Sequence, residues 1–471
     1  MGIQKTVIKC FRNTKSNFKI STRRYSTDQN PATKTWDVLV RDVPKGFGMK
    51  TERFYPHHAD VVIIGGGFIG AAVAYWLKSR AVHGLNVVVL EKDITFKETQ
   101  KNLSLGTLTQ HFSLQENIAL SQYSADFMRN IKQHLGPDVD IHYKPTGSLV
   151  LASEKYADKM EENCTILKEL GNRLQLLTPG DVKTRFPWIN TDDITLGCIG
   201  LESEGTFDAW EMHKGFLKKS IDLGADYVNA EVTGFEVENL RDVLMEGIAP
   251  GSFKKMSKVI YKTPDGEEHK CKFAACVLAA GDQSGDIAKL LNIGAGEGLL
   301  SIPLPVIKRE YKVCSIEGKA LETGLHSPIV SDSSGLWIKR KGFDNDLLFG
   351  MIPSFLDDSK EVKDEEYFKN IILASLLNRL PSCNIDNIKY VNEEIHDCNT
   401  YDNTGILGSH PYYNNLLIAA GFGQNGCQHA PGIGRAIAEL IIDSRFTTID
   451  FTRFGFDRFL TTQPLVECNV Y

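Results

Sequence analysis

Apolar and polar positions follow two regimes along the 471-residue chain. Asp60–Ile64, Asn86–Leu90 and Ala275–Ala280 are short, continuously apolar and rich in β-branched residues. That is the pattern of strands buried on both faces of a parallel sheet. Between about Ile302 and Asn392 the character changes. Segments such as Glu310–Ser315 and Gly335–Lys339 mix polar with apolar positions, as half-buried antiparallel strands do. Gly147–Ala152, Asp226–Asn229 and Val232–Val237 also read as strands, and Lys258–Tyr261 with Lys272–Phe273 as a short hairpin. Helical spacing predicts helices over Ala71–Arg80, Tyr123–His134, Lys155–Gly171, Asp208–Gly224 and Glu365–Leu380. The charge run Asp357–Glu366 reads as a solvated loop, and the last 70 or so residues return to strand, glycine loop and helix.

This order predicts an α/β fold: a discontinuous Rossmann-like domain with an inserted, mixed and largely antiparallel domain. The expected nucleotide-binding pieces are residues 57–115, 200–300 and 395–460. The inserted pieces are 116–199 and 301–394, and 461–471 form a tail.

The net charge of −6, with no basic stripe in the body of the chain, argues against a nucleic-acid partner. The first residues differ from the rest. Lys5, Lys9, Arg12, Lys15, Lys19, Arg23 and Arg24 precede the first acid, Asp28, among frequent Ser and Thr. That is the composition of a mitochondrial transit peptide, here residues 1–25 with a linker over 26–56. Cleavage after Tyr25 would move the charge to −13. A disordered basic tail is the alternative.

The ten cysteines contain no C-x-x-C, and the twelve histidines no H-x-x-x-H. Neither a zinc site nor a disulfide framework is expected, and scattered thiols suit a reducing compartment. Val61–Leu77 carries no charge, but its glycines break it early, so strand, turn and buried helix are expected rather than a membrane span.

Chemistry enters with Gly65-x-Gly67-x-x-Gly70, directly after a strand and opening a helix. Gly65 permits the tight turn, Gly67 lets a pyrophosphate approach the backbone, and Gly70 lets helix and strand pack closely. The helix N-terminus adds free N–H groups and partial positive charge. Glu91 lies 21 residues beyond Gly70, at the tip of the second strand, where an acid accepts from ribose hydroxyls and repels a 2′-phosphate. A dinucleotide ending in adenosine is expected, FAD or NAD. Two further close-approach elements favour FAD: Ala279-Ala280-Gly281, and the C-terminal run Gly421-Phe422-Gly423-Gln424-Asn425-Gly426 with Pro431-Gly432-x-Gly434. A helix N-terminus near a flat ring stabilises negative charge on its reduced form.

The stretches "DVVIIGGGFIGAAVAYWLK", "LAAGDQS", "ESEGTFDAW", "NTYDNTGILGSHP" and "QHAPGIGRAIAELI" resemble the D-amino-acid oxidase/sarcosine oxidase class of FAD-dependent oxidoreductases, over almost everything after about Pro56. The resemblance implies an FAD-binding domain carrying an inserted substrate domain. Gly65, Gly67, Phe68, Ile69, Gly70, Glu91 and Lys92 would then surround the ADP half, with Val232 at adenine. Ala280 and Gly281 would lie near the pyrophosphate, and residues 421–426 would border the flavin. Within the class the chain is similar to mitochondrial members linked to assembly of respiratory complex I. That likeness implies a location in the matrix or on the matrix face of the inner membrane. It also implies complex I subunits or assembly intermediates as partners, with peripheral membrane association. The alternative is an active oxidase or dehydrogenase acting on the C–N bond of a small secondary or tertiary amine or an amino acid.

The chain departs from the class in two places. Where small residues usually pass the flavin it has Thr99-Gln-Lys-Asn102, and Lys101 either neutralises charge or crowds the ring. Where the class has G-F-S-G-H-G, this chain carries Gln424 and Asn425. Cys398 falls near the position at which some members bind FAD covalently, but reads as a small buried residue. Met351 aligns with the lysine of amine-oxidising members, and Lys339, Arg340 and Lys341 read as a solvated strand end. Arg309, Arg340 and Arg379 are the candidates for binding a substrate carboxylate. No catalytic base and no metal ligand is named.

Overall fold

The computed structural model describes residues 55–81, 83–97, 106–240, 253–316, 323–341, 346–351 and 368–468. The basic leader, Lys101 with its neighbours and the charge run Asp357–Glu366 lie outside the described residues.

Strand β1 (His58–Ile64) turns through glycines into helix α1 (Phe68–Ala81) and returns as β2 (Val87–Glu91). β3 (Thr107–Leu108), α2 (Gln115–Arg129) and α3 (Ile131–Leu135) follow. A first excursion comprises β4 (Ser148–Ala152), α4 (Glu154–Glu169), β5 (Leu174–Leu177), α5 (Pro179–Arg185), β6 (Leu196–Gly200) and β7 (Gly205–Thr206). The chain comes back through α6 (Ala209–Asp222), β8 (Asp226–Asn229), β9 (Glu231–Asn239), β10 (Lys254–Lys262), β11 (Glu268–Leu278) and α7 (Ser284–Lys289). A second excursion holds β12 (Val306–Ile316), β13 (Ile329–Asp332), β14 (Leu336–Arg340), β15 (Leu347–Met351), α8 (Ala374–Arg379) and β16 (Ile388–Asn399). β17 (Ile406–Ser409), β18 (Leu416–Ala420), α9 (Gly426–Asp443) and α10 (Asp457–Leu460) close the fold.

The first sheet runs β17-β18-β11-β1-β2-β8. Its contacts from β18 to β8 are all parallel, while β17 lies antiparallel at one edge. Successive residues of its central strands pack on opposite faces. Val61, Ile63, Val87 and Val89 meet α1, α6 and α9, while Val62, Ile64, Val88 and Leu90 meet Met256, Val259 and Tyr261. Burial on both faces explains the continuous apolar runs.

The second sheet runs β16-β12-β15-β14-β13-β4-β6-β5 and is antiparallel except where β13 meets β4. That one parallel pair joins strands from the two excursions. The architecture is the expected one: a discontinuous, mainly parallel sheet interrupted by a largely antiparallel one.

Three elements differ from the sequence reading. The expected hairpin strand at Lys272–Phe273 and the buried strand after it are one strand, β11. Its first half pairs antiparallel with β10, its second half parallel with β1. The helix expected over Tyr123–His134 begins at Gln115 and breaks at Asn130, whose Nδ2 donates to the Asp126 carbonyl at 3.0 Å and competes with the backbone ladder. Within the described residues, the helix before Leu380 includes a π-helical stretch, Phe368–Leu373.

Helices α9 and α1 cross tightly. A Cβ on Gly434 would lie 2.6 Å from the Ala72 carbonyl carbon, and Trp76 Nε1–H donates to the Pro431 carbonyl at 2.8 Å. This contact sets the N-terminus of α9 relative to that of α1. Among the described residues nine cysteines are free thiols, and Cys164 and Cys198 bring their sulfurs to 2.8 Å.

Candidate functional site

Four chain segments converge on the carboxyl edge of the parallel sheet. Gly65 leaves β1 with φ +97°, and an added Cβ would lie 2.4 Å from the Ala279 carbonyl oxygen. Only glycine satisfies both constraints. The Gly65 N–H donates to the Leu90 carbonyl, and the Ala279 N–H to the Ile64 carbonyl, each at 2.9 Å. The tips of β2, β1 and β11 are thereby tied together. Gly70 packs so closely on this turn that its Cβ would lie 1.9 Å from the Gly65 carbonyl oxygen. Phe68 and Gly70 are buried and Ile69 is half-buried at the start of α1.

Glu91 ends β2. Its Oε2 accepts from the Gly66 N–H at 2.7 Å and its Oε1 from the Asp93 N–H at 2.8 Å. Burial raises its pKa, and those two donors oppose the rise. Ala230 N–H donates to the Glu91 carbonyl at 2.8 Å, which brings Asn229 and Val232 alongside. The Asn229 side-chain oxygen is buried without a hydrogen-bond partner. Lys92 forms an exposed ion pair with Glu231 at 2.6 Å.

Ala280 and Gly281 follow β11, with Gly281 at φ +55°. At the neighbouring strand tip, Gly421 (φ +77°) donates its N–H to Asp397 Oδ2 at 2.6 Å. The Phe422 ring fills the space a side chain at Gly405 would occupy, and Phe422 bridges to Cys398. Gly423, Gln424 and Asn425 form a 3-10 turn leading into α9 at Gly426.

Strand order β18-β11-β1-β2 therefore sets residues 421–426, 279–281, 65–70 and 91 in a row along one edge. In open α/β sheets such an edge is where ligands bind. Added Cβ atoms at Gly67 and Gly281 would meet nothing within 4 Å. The row thus has open backbone at two points, two helix N-termini for anionic groups and a carboxylate at one end. These are the requirements of a long dinucleotide with a flat ring.

The second sheet contributes ionisable groups to which the sequence reading gave no role at the site. Lys339 is 5% exposed, where a solvated strand end was expected. β14 is an interior strand between β13 and β15, and four consecutive residues of it, Leu336–Lys339, are buried, so both of its faces are covered. Burial pulls the Lys339 ammonium down to about 8, against the attraction of Glu394. Glu394 is fully buried, with His396 Nε2 3.4 Å from its Oε2. Cys427, at the start of α9, also interacts with Lys339, and burial pushes its thiol up to about 12. Burial likewise pushes Asp397 up to about 6, while the Gly421 N–H opposes it. The apolar run Leu336-Trp-Ile before Lys339 was the available signal, since a strand apolar at every position is covered on both faces.

A second buried cluster centres on Glu204. Glu204 is 1% exposed, with Thr109 Oγ1 at 3.3 Å and His111 Nε2 at 3.5 Å from its Oε2. Burial pushes Glu204 up to about 8 and pulls His111 down to about 4, so at neutral pH the two meet as uncharged partners and not as an ion pair. Gln428 on α9 accepts from the Thr109 N–H at 3.0 Å and ties this segment to the glycine loop.

The arginine candidates separate. Arg379 is buried and engaged by Asp332 at 2.8 Å and Asp193 at 3.0 Å, so its guanidinium serves the fold. Arg340 donates to the Gly324 carbonyl at 2.5 Å, and Arg309 sits opposite His396 across the β12–β16 pair. Met351 is buried at the end of β15.

The profile of the FAD dependent oxidoreductase family matches residues 60–440. The chain belongs to that family, and its cofactor is FAD. It is 40% identical over 420 residues to the FAD-dependent oxidoreductase domain-containing protein 1 homolog of Drosophila melanogaster, covering 88% of this chain and 81% of that protein. The fold is similar to that of L-proline dehydrogenase from P. horikoshii (TM-score 0.69, 20% identity, 87% of this chain and 100% of that one). Glycine oxidase from Geobacillus kaustophilus is a further structural neighbour (TM-score 0.64, 22% identity, 85% and 98%). More distant relatives are human mitochondrial dimethylglycine dehydrogenase (25% identity, 88% of this chain, 46% of that protein) and the mouse mitochondrial pyruvate dehydrogenase phosphatase regulatory subunit (23%, 85%, 44%).

Proposed function

We propose that this protein is a mitochondrial FAD-dependent oxidoreductase acting on the C–N bond of a small amine or amino acid. The observation that carries the reading is the desolvated group Lys339, Glu394, Asp397 and Cys427 around the loop that would border the flavin. Buried ionisable groups with shifted pKa values destabilise a fold, and they cluster where chemistry needs them. Bound FAD supplies a two-electron acceptor for oxidation of the carbon next to nitrogen. Lys339, near 8, can take up or release a proton close to neutral pH, as a general base or acid must. Glu394 stabilises its charged form, and burial among β13, β14 and β15 keeps water away. Asp397 holds the Gly421 N–H and so sets the turn into α9. The names of the proline, glycine and dimethylglycine enzymes support an amino-acid substrate.

A second reading is compatible with the first: a partner role in assembly of respiratory complex I at the matrix face of the inner membrane. A regulatory subunit among the relatives supports it, because the family is then not confined to catalysts. So do Gln424 and Asn425 in the flavin loop.

The test combines chemistry with cells. The protein lacking residues 1–25 is mixed anaerobically with N-methylated and cyclic amino acids, and bleaching of its visible flavin band is followed. At least one should bleach it, and Lys339→Met should slow bleaching by about 10²–10⁴-fold with FAD retained. No bleaching by any of them would overturn the catalytic reading. In cells lacking the protein, restoration of complex I by the Lys339→Met variant would establish a partner role independent of turnover. Normal complex I in those cells would exclude that role.

A further inference from the structure

We propose that His213 is a positioning residue for FAD: it fixes the peptide between Gly66 and Gly67 so that the Gly67 N–H is presented to the cofactor's pyrophosphate. His213 lies on α6 and is fully buried, with Nε2 3.0 Å from the Gly66 carbonyl oxygen. A carbonyl only accepts, so Nε2 carries the proton and Nδ1 is the bare nitrogen. Nδ1 is buried and has no hydrogen-bond partner. The ring is held between aromatic neighbours, with centroids 4.9 Å from Phe96, 5.4 Å from Phe68 and 5.4 Å from Trp210.

Both polar groups of Gly66 are thereby held by side chains of other elements, since its N–H donates to Glu91 at 2.7 Å. The Gly67 carbonyl accepts the first helical bond, from the Ala71 N–H at 2.9 Å. Gly67 is thus the N-cap of α1, and its own N–H is one that the helix ladder leaves for a ligand. A trans peptide points its C=O and the following N–H in opposite directions. With the Gly66 carbonyl anchored in the core by His213, the Gly67 N–H faces away from the core. An added Cβ at Gly67 would meet no atom within 4 Å, so this side of the loop is open.

Side-chain sterics cannot enforce that orientation. Between two glycines the peptide has no Cβ on either side to bias it. A flip would turn the Gly66 carbonyl towards the anion and leave the imidazole N–H buried without an acceptor. His213 selects against the flip. As mere core filling a histidine would be a poor choice, because it buries the unpartnered Nδ1, which an apolar side chain of that size would not.

Two variants separate positioning from packing. Methionine and glutamine match in length and shape, but only glutamine has an N–H to donate. FAD release from diluted holoprotein is followed by flavin fluorescence for wild type, His213→Met and His213→Gln, alongside equilibrium rebinding. His213→Met should weaken FAD binding by about tenfold, the loss of one hydrogen bond, while His213→Gln should stay within roughly threefold of wild type. Equal affinity of His213→Met and wild type, equal weakening in both variants, or failure of both to fold would each overturn the proposal and leave His213 a packing residue.

Discussion

Glu204 holds a carboxyl group where its charge has almost no water to stabilise it. Burial pushes it up from 4.5 to about 8, and its carboxyl group occupies the space a side chain on Gly200 would take, with Oε1 1.7 Å from an added Cβ. The pH dependence has a definite sign. Between about 4.5 and 8 the unfolded chain has released the proton that the folded chain still holds, so stability falls as pH rises. His111, pulled down from 6.5 to about 4, acts in the opposite sense, but only below 6.5. Glu204→Gln keeps the shape of the protonated acid and removes the titration. Thermal unfolding should show the variant gaining on wild type from about pH 6.5 to 8.5, by about 1–3 kcal/mol at the upper end. A constant difference across that range would mean that Glu204 is ionised in the folded protein.

Helix α2 begins without a side-chain cap of its own, because its N-cap residue is Leu114. The missing acceptor comes from the far end of the chain. Glu467 accepts from the Ser113 N–H, from the Leu114 N–H at 3.1 Å and from Asn117 Nδ2 at 2.6 Å. A carboxylate there satisfies amides that the helix cannot and complements its dipole. Glu467→Ala should lower unfolding stability by about 1–2 kcal/mol in denaturant titration, and Glu467→Gln by less. A loss below about 0.3 kcal/mol would show that water caps α2 equally well. No local pattern announces this cap, since Leu114 is a poor cap and its partner lies more than three hundred residues away.

At the scale of the whole molecule, distant chain segments are joined through a charge cluster in which Arg379 and Asp332 are buried and Asp193 is half-exposed. Arg379 precedes Leu380, Asp332 ends β13, and Asp193 lies in the other excursion between α5 and β6. The guanidinium also donates to the Asn190 carbonyl at 2.5 Å. Breaking such a cluster leaves Asp332 buried and charged, so Arg379→Met should cost about 3–5 kcal/mol. Arg379→Met with Asp332→Leu should recover part of that, because the pair is then replaced rather than broken. Urea unfolding of the two variants decides the matter, and an equally unstable double variant would refute the account.

The sequence by itself determined the βαβ unit with its glycine turn, the acid at the tip of β2, the interrupted parallel sheet and the helix after the last glycine run. These are written in local periodicity, in glycines and in short-range spacing, which a chain carries before it folds. The family resemblance implied that 421–426, 279–281, 65–70 and 91 share one cofactor, but the strand order that sets them side by side, a long-range property that no window of sequence contains, came from the tertiary structure. Only it decided that Lys339 is buried, that Arg379 is occupied and that His213 reaches Gly66. A polar residue's role depends on what the rest of the chain packs against it, and desolvation, which sets both its pKa and its need for partners, exists only once that packing has formed.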